Sequence, residues 1–173
     1  MKVALKLIFC FFLKLGFSQE KSKVDFEKLY VSEKKYSMMF NSNWHLQRTD
    51  SLENKFILLN EKRSLQDNFT ENIVLLINNL GANVKSKTVK KIIDQRMKIA
   101  HEIISNREVV KNGIKGQEII YKDLLSDGNW ATILQYFFVK NKDLYILTFC
   151  TKPEEFLDYM PFYQQFYLNF DIR

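Results

Sequence analysis

The sequence predicts an α+β domain. An antiparallel sheet of about six to seven strands, ending in a C-terminal meander, is covered by helices on both faces. Three observations carry this. Asp143 to Thr151 reads as a strand that is apolar on both sides, with Leu144, Ile146 and Cys150 pointing one way and Tyr145, Leu147 and Phe149 the other. Such a strand needs cover on both faces and belongs near the middle of a sheet. Trp130 to Lys140 repeats the pattern, with Ile133, Phe137 and Val139 set against Leu134, Tyr136 and Phe138. Between Arg107 and Thr151 the turn segments Asn112-Gly113, Ser126-Asp127-Gly128-Asn129 and Asn141-Lys142 separate four strand candidates, which reads as consecutive antiparallel hairpins.

At 173 residues the chain is the length of one domain, and with 46% hydrophobic and 14% aromatic residues most of it folds. Residues 1–18 read as a secretory signal peptide. Met1 and Lys2 open a basic region, Leu7 to Leu13 is a short apolar run, and Gly16-Phe17-Ser18 supplies small residues for cleavage between Ser18 and Gln19. A retained membrane anchor would need about 18–20 apolar residues, and Lys6 and Lys14 break the run well short of that. Cys10 follows Phe9 inside the apolar run, which is not the setting of a lipidated cysteine. Residues 19–35 form a polar lead-in, and 36–173 form the single domain.

Removal of the signal takes Lys2, Lys6 and Lys14 and no acid, so 26 basic against 20 acidic residues becomes 23 against 20. That surplus is too small to argue for nucleic acid, and 21 of the 26 basic residues are Lys rather than the arginine that phosphate recognition favours. Cys150 is then the one cysteine of the exported chain, with no internal partner for a disulfide. In an apolar strand it reads as a small core residue.

Along the chain, Tyr36 to Phe40 is a strand, Asn41-Ser42-Asn43 a turn, and Trp44 the start of a second short strand. Phe56 to Leu59 is another strand, and Glu61 to Asn68 a polar loop. Ile73 to Ile77, Ile-Val-Leu-Leu-Ile, is too short for an ordinary helix and rich in branched residues, so it reads as a central strand. Val89, Ile92, Ile93, Met97, Ala100, Ile103 and Ile104 then fall at helical spacing, predicting a helix over Val89 to Ser105. Its other side carries Lys90, Asp94 and Lys98, a solvated face. Thr151-Lys152-Pro153-Glu154 fits a capping box that opens a last helix. Phe156, Tyr159, Met160, Tyr163 and Tyr167 make its stripe, Pro161 is expected to break or kink it, and Asn169 to Ile172 can close as an edge strand.

No catalytic or metal-binding constellation stands out. His45 and His101 lie in different elements without ligand-spaced partners. Glu154 and Glu155 are explained by a helix start, and Asp123, Asp127 and Asp143 by strand ends and turns. There is no glycine-rich phosphate loop and no serine elbow. Catalysis, metal and cofactor are therefore not expected. The remaining hint is aromatic. Tyr159, Phe162, Tyr163 and Phe166 crowd the last helix beyond what one stripe hides, marking a candidate docking or pocket surface beside the bland reading of core packing.

Tyr36 to Trp44, Asn112 to Tyr121 and above all Asp143 to Ile172 together resemble the PsbP-like, or Mog1/PsbP, superfamily. The shared order is a strand ending near Asn-x-Trp, a mid-chain helix, an Asn-Gly hairpin, a Tyr-x-Leu-Thr-Phe strand and a Pro-Glu-x-Phe helix. Asn41-Ser42-Asn43 stands where the family usually has a proline before the early Trp. The resemblance implies an α/β/α sandwich, and a largely non-catalytic family that includes photosynthetic accessory subunits, a regulator of a nuclear GTPase and bacterial envelope proteins. It carries over no functional residue. With the signal peptide, the expectation is a non-catalytic secreted or periplasmic module docking to another envelope protein, without nucleic acid or a stable membrane span. The alternative is a carrier or sensor of a small apolar ligand held between sheet and C-terminal helix.

Overall fold

A computed structural model describes residues 27–48, 54–61, 68–81 and 86–173. The segment read as signal peptide, residues 19–26 of the polar lead-in and residues 62–67 of the polar loop lie outside them. The described chain runs β1 (Lys28–Ser32), β2 (Tyr36–Asn41), β3 (Trp44–Gln47), β4 (Asn54–Asn60), β5 (Asn72–Asn79), α1 (Ser86–Ile99), β6 (Glu102–Lys111), β7 (Ile114–Leu124), β8 (Trp130–Lys140), β9 (Asp143–Thr151), a single 3-10 turn (Pro153–Glu155), α2 (Phe156–Asn169) and β10 (Asp171–Ile172). Two sheets result, a small one in the order β1-β2-β10 and a seven-stranded one in the order β3-β4-β5-β9-β8-β7-β6. Every pairing is antiparallel.

Strand β9 is the fourth of the seven, as its two greasy faces require. The hairpins fall where the turn residues put them. Asn112 and Gly113 both have positive φ, the backbone that a two-residue hairpin needs and that Asn and Gly adopt readily. Asn141 does the same between β8 and β9.

One face of the large sheet is sealed by α2 and the small sheet. Leu75, Leu134, Leu147 and Phe149 meet Tyr163, Phe166 and Phe170 from the helix end, and Met38 and Phe40 from β2. Tyr36 of β2 lies 5.6 Å from the ring of Phe56 on β4, so small sheet and large sheet share this core. On the opposite face Ile119, Tyr121, Ile133, Phe137, Leu144 and Cys150 cluster with Ile93 of α1. This second layer is thinner. Ile93 is the buried residue of α1 there, while Val89, Ile92 and Met97 are half-buried, as is Val139 beneath them.

Three local expectations are corrected. Helix α1 ends at Ile99 rather than Ser105. The His101 N–H turns away to the Lys122 carbonyl, 3.1 Å distant, and the β-branched Ile103 and Ile104 enter β6 instead of a helical stripe. The capping box does not form, because Thr151 is still the last residue of β9, and Lys152, with no side-chain cap bond, stands before the 3-10 turn. Helix α2 runs through Pro161 as one element. The proline withholds one donor, from the carbonyl of residue 157, and Leu157 is exposed, so water can satisfy that carbonyl.

Candidate binding surfaces

The four aromatic residues singled out on the last helix are brought together, but on its inward side. Tyr159, Tyr163 and Phe166 are buried, and Phe162 is half-buried with its ring stacked 4.5 Å above Trp44 at an interplanar angle of 2°. The Tyr163 ring lies 4.7 Å from Phe149, and the Tyr159 hydroxyl accepts from the Asn60 amide at 2.7 Å. Beside Phe162 and Phe166 the seam holds a void of about 10 Å³. That is at or below the room for one water, so this void has no space for a ligand.

Room exists on the other face. A trough of about 820 Å³ runs between α1 and strands β6, β7 and β8. Its apolar part is built from Phe137 and Val139 of β8 with Val89, Ile93 and Met97 of the helix above, and Asn106 of β6 and Gln117 of β7 add polar side chains. Its rim is charged, with Lys90 and Asp94 on α1, Glu108 on β6 and Lys115 on β7. The volume lies within the range of roughly 300–1,000 Å³ of small-molecule sites. Asn106 donates its amide to the Met97 sulfur at 3.0 Å and accepts from Gln117, tying the helix to the sheet at one end of the trough.

A polar cluster ties the β6–β7 hairpin to the other face. Arg107 grips the buried Glu118 carboxylate with two hydrogen bonds, Nε at 2.5 Å and Nη2 at 2.9 Å. This fork raises the guanidinium pKa, the hydrogen bond contributing most. Tyr136 stacks on Tyr167 at 4.2 Å, and burial, aided by the nearby Glu118 carboxylate, pushes its phenol up. Lys111 donates to the Tyr167 carbonyl at 2.6 Å and sits 4.5 Å above that ring; burial lowers its pKa. Gly116 is needed here. A Cβ at that position would lie 2.5 Å from the Phe137 carbonyl oxygen and as close to the Phe138 ring. This cluster holds β6, β7, β8 and α2 together.

A third feature is an exposed apolar end. Ile99, Ile103, Ile104, Leu124 and Trp130 are 40 to 66% exposed, and they are half of the large apolar residues exposed among the described ones. They lie at one end of the large sheet, where Glu102 of β6 pairs with Lys122 of β7 and Leu124 pairs with Trp130 across the next turn. His101 bridges the two parts, its ring 4.6 Å from that of Trp130. At this end Lys122 is paired to Glu102 at 3.0 Å.

The remaining sequence candidates stay apart. His45 lies 3.4 Å from Glu61, both exposed. Cys150 is buried, and desolvation pushes its thiol up to about 12, which leaves it un-nucleophilic. Asp143 pairs with Lys35 at 2.5 Å and accepts from Asn79, while Asp127 is held below its usual range by the Asn129 backbone N–H. Among the described residues no three His, Cys, Asp or Glu stand close enough to hold a metal, and no helix is long and apolar enough to cross a membrane. Neither the trough nor the apolar end has a sequence motif. The Arg107–Glu118 pair has a signal, since a hairpin centred on Asn112-Gly113 puts those two residues opposite each other.

No family model matches the chain, and no curated protein matches it in sequence. Solved structures do resemble it. Cyanobacterial PsbP (CyanoP) of Synechocystis aligns with a TM-score of 0.60 at 12% identity, over 92% of this chain and 99% of that one. PA94 of Pseudomonas aeruginosa, a protein of unknown function, aligns at 0.57 and 12%, over 85% and 98%. LpqN of Mycobacterium tuberculosis, involved in cell envelope biogenesis, aligns at 0.62 and 11%, over 86% and 91%. At such identities the likeness is one of fold: the chain has a mostly antiparallel PsbP-like fold, with a seven-stranded and a three-stranded sheet and two helices.

Proposed function

We propose that the protein is a non-catalytic, exported binding module that docks to another envelope protein through its apolar end. The observation that carries this is the exposure of Ile99, Ile103, Ile104, Leu124 and Trp130 at the end of the sheet where α1 meets β6 and β7 turns into β8. Exposed apolar residues clustered in this way, with Trp among them, are typical of contact surfaces. The Lys122–Glu102 ion pair at this end suits a protein partner better than an anionic lipid surface, which recruits clustered Lys and Arg. The fold it shares with LpqN, a protein involved in cell envelope biogenesis, agrees with an envelope setting. Export rests on residues 1–18, with cleavage between Ser18 and Gln19, so the exported form would begin at Gln19. In this account α1 is the cover that the second face of the sheet demands. Tyr159, Tyr163 and Phe166 fix α2 from within, and Phe162 alone of the four has ring surface to offer a partner.

Affinity recovery from a detergent extract of the host envelope tests the docking. The parent protein retains a discrete partner, and Trp130→Asp with Leu124→Asp loses it while keeping the parent melting temperature. Equal recovery by both proteins would refute the assignment of the surface. A second reading, a carrier or sensor of a small apolar ligand, is favoured by the trough beside α1 rather than by the water-sized void beside Phe162 and Phe166.

A further inference from the structure

The trough beside α1 has a chemistry specific enough to name its occupant. Its apolar side chains run along β8 and α1, with Phe137 and Ile93 buried and Val139, Val89 and Met97 half-buried, while the polar Asn106 and Gln117 beside them bond each other. From Val89 to Met97 the helix wall advances eight residues, about 12 Å at 1.5 Å per residue, which makes the space elongated. The main chain beneath is already committed. Gly116 is paired with Val109 on one side and Phe138 on the other, and Gln117 with Glu108 and Phe137. A peptide laid there would find no backbone donors or acceptors, which is what an added strand requires. An extended hydrocarbon needs none.

The rim decides the headgroup. Lys90 and Lys115 supply two positive charges, and Asp94 and Glu108 two negative ones, around the same opening. A fatty acid would leave both carboxylates facing an anion, and a cationic amphiphile would leave both lysines facing a cation. A headgroup carrying both signs pairs with both. We propose that this trough binds a single-chain lysophospholipid with a zwitterionic headgroup, its acyl chain along Phe137 and Val139 and its phosphate and ammonium groups among the rim charges. The proposal rests on the small-ligand reading above and is independent of docking through the apolar end. Met97, flexible and polarisable, suits a wall that must fit chains of differing length.

The test is displacement of the apolar fluorophore 1-N-phenylnaphthylamine from the purified full chain by lysophosphatidylethanolamine below its micellar concentration. The myristoyl form displaces the fluorophore saturably, and the lauroyl form, shorter by two methylenes, binds roughly ten-fold more weakly. Val139→Trp, which narrows the trough where the acyl chain would lie, weakens binding at least ten-fold. Lys90→Glu with Lys115→Glu, at exposed positions, weakens lysophospholipid but leaves dodecanol unchanged, whereas Trp130→Asp alters neither. Fluorophore displaced by dodecanol but not by lysophospholipid would overturn this proposal and leave the small-ligand reading standing. Absence of saturable fluorophore binding would overturn both. Affinity unchanged in the Val139 and the lysine variants, or lost in Trp130→Asp, would place the ligand elsewhere and overturn the proposal as well.

Discussion

Replacing Phe166 by Ala separates packing from docking on the last helix. The side chain is 2% exposed and is surrounded by rings, with Phe149 at 5.9 Å, Phe56 at 6.3 Å, Phe170 at 6.4 Å and Phe162 at 6.5 Å. Deleting a buried Phe removes its transfer free energy and leaves a cavity that such stiff neighbours fill poorly, at a cost of about 3–5 kcal/mol. For a chain of 150–250 residues each kcal/mol lowers Tm by about 2–4 °C, so the expected fall is on the order of 6–20 °C. Urea unfolding followed by tryptophan fluorescence reads this directly, since Trp44 lies against Phe162 in the same seam. The midpoint drops and the slope is unchanged, because the surface exposed on unfolding stays nearly the same. Leu157→Ala, on the outer side of α2 at 79% exposure, is the control and changes stability by less than about 0.5 kcal/mol. A Phe166→Ala protein that keeps its stability to within about 1 kcal/mol would refute the packing of α2 described above.

Gly116→Ala would push a Cβ against the Phe137 carbonyl oxygen, which cannot rotate away, and should cost about 1–3 kcal/mol in thermal or urea unfolding. Glu118→Gln removes the charge that Arg107 grips with two hydrogen bonds. Since Arg107 remains hydrated, the loss should be only about 1–3 kcal/mol, and greater in low salt than in high. The Cys150 thiol and the Tyr121 phenol, ordinarily near 9.0 and 10.0, are both raised to about 12 by burial, and a group raised on folding stabilises the neutral form. Their contribution is whole below pH 9 and is lost as pH climbs from 9 towards 12, so urea midpoints fall over that window. Cys150→Ala makes the fall begin later, nearer pH 10, and a midpoint that fell equally early would contradict the burial of the thiol.

The central strands were legible in the chain because a strand buried on both faces leaves no choice of face in its sequence, and β8 and β9 begin and end where their residues predict. The hairpins were legible through Asn112, Gly113 and Asn141, whose positive φ few residues adopt readily. Helix α1 was overextended because Ile103 and Ile104 satisfy a helical period and a strand equally well, and only the hydrogen bond from His101 to the far strand decides between them. The aromatic crowd on α2 looked like a surplus because Trp44, Phe56 and Phe149, which receive it, come from three separate strands. The trough and the apolar end were invisible for a related reason. Each is assembled from residues tens of positions apart, as Met97 and Val139 are across the trough and Ile103 and Trp130 at the end, and no local pattern records that juxtaposition.

Docking through the apolar end is tested most directly by photo-crosslinking in the host, with a photoreactive benzoylphenylalanine at position 130 compared with the same residue at positions 157 and 168. Leu157 and Leu168 are at least as exposed as Trp130 but lie on α2, outside the apolar end. The account predicts a discrete adduct of constant mass from position 130 and none from the two positions on α2. Adducts from 157 or 168 with none from 130 would contradict it.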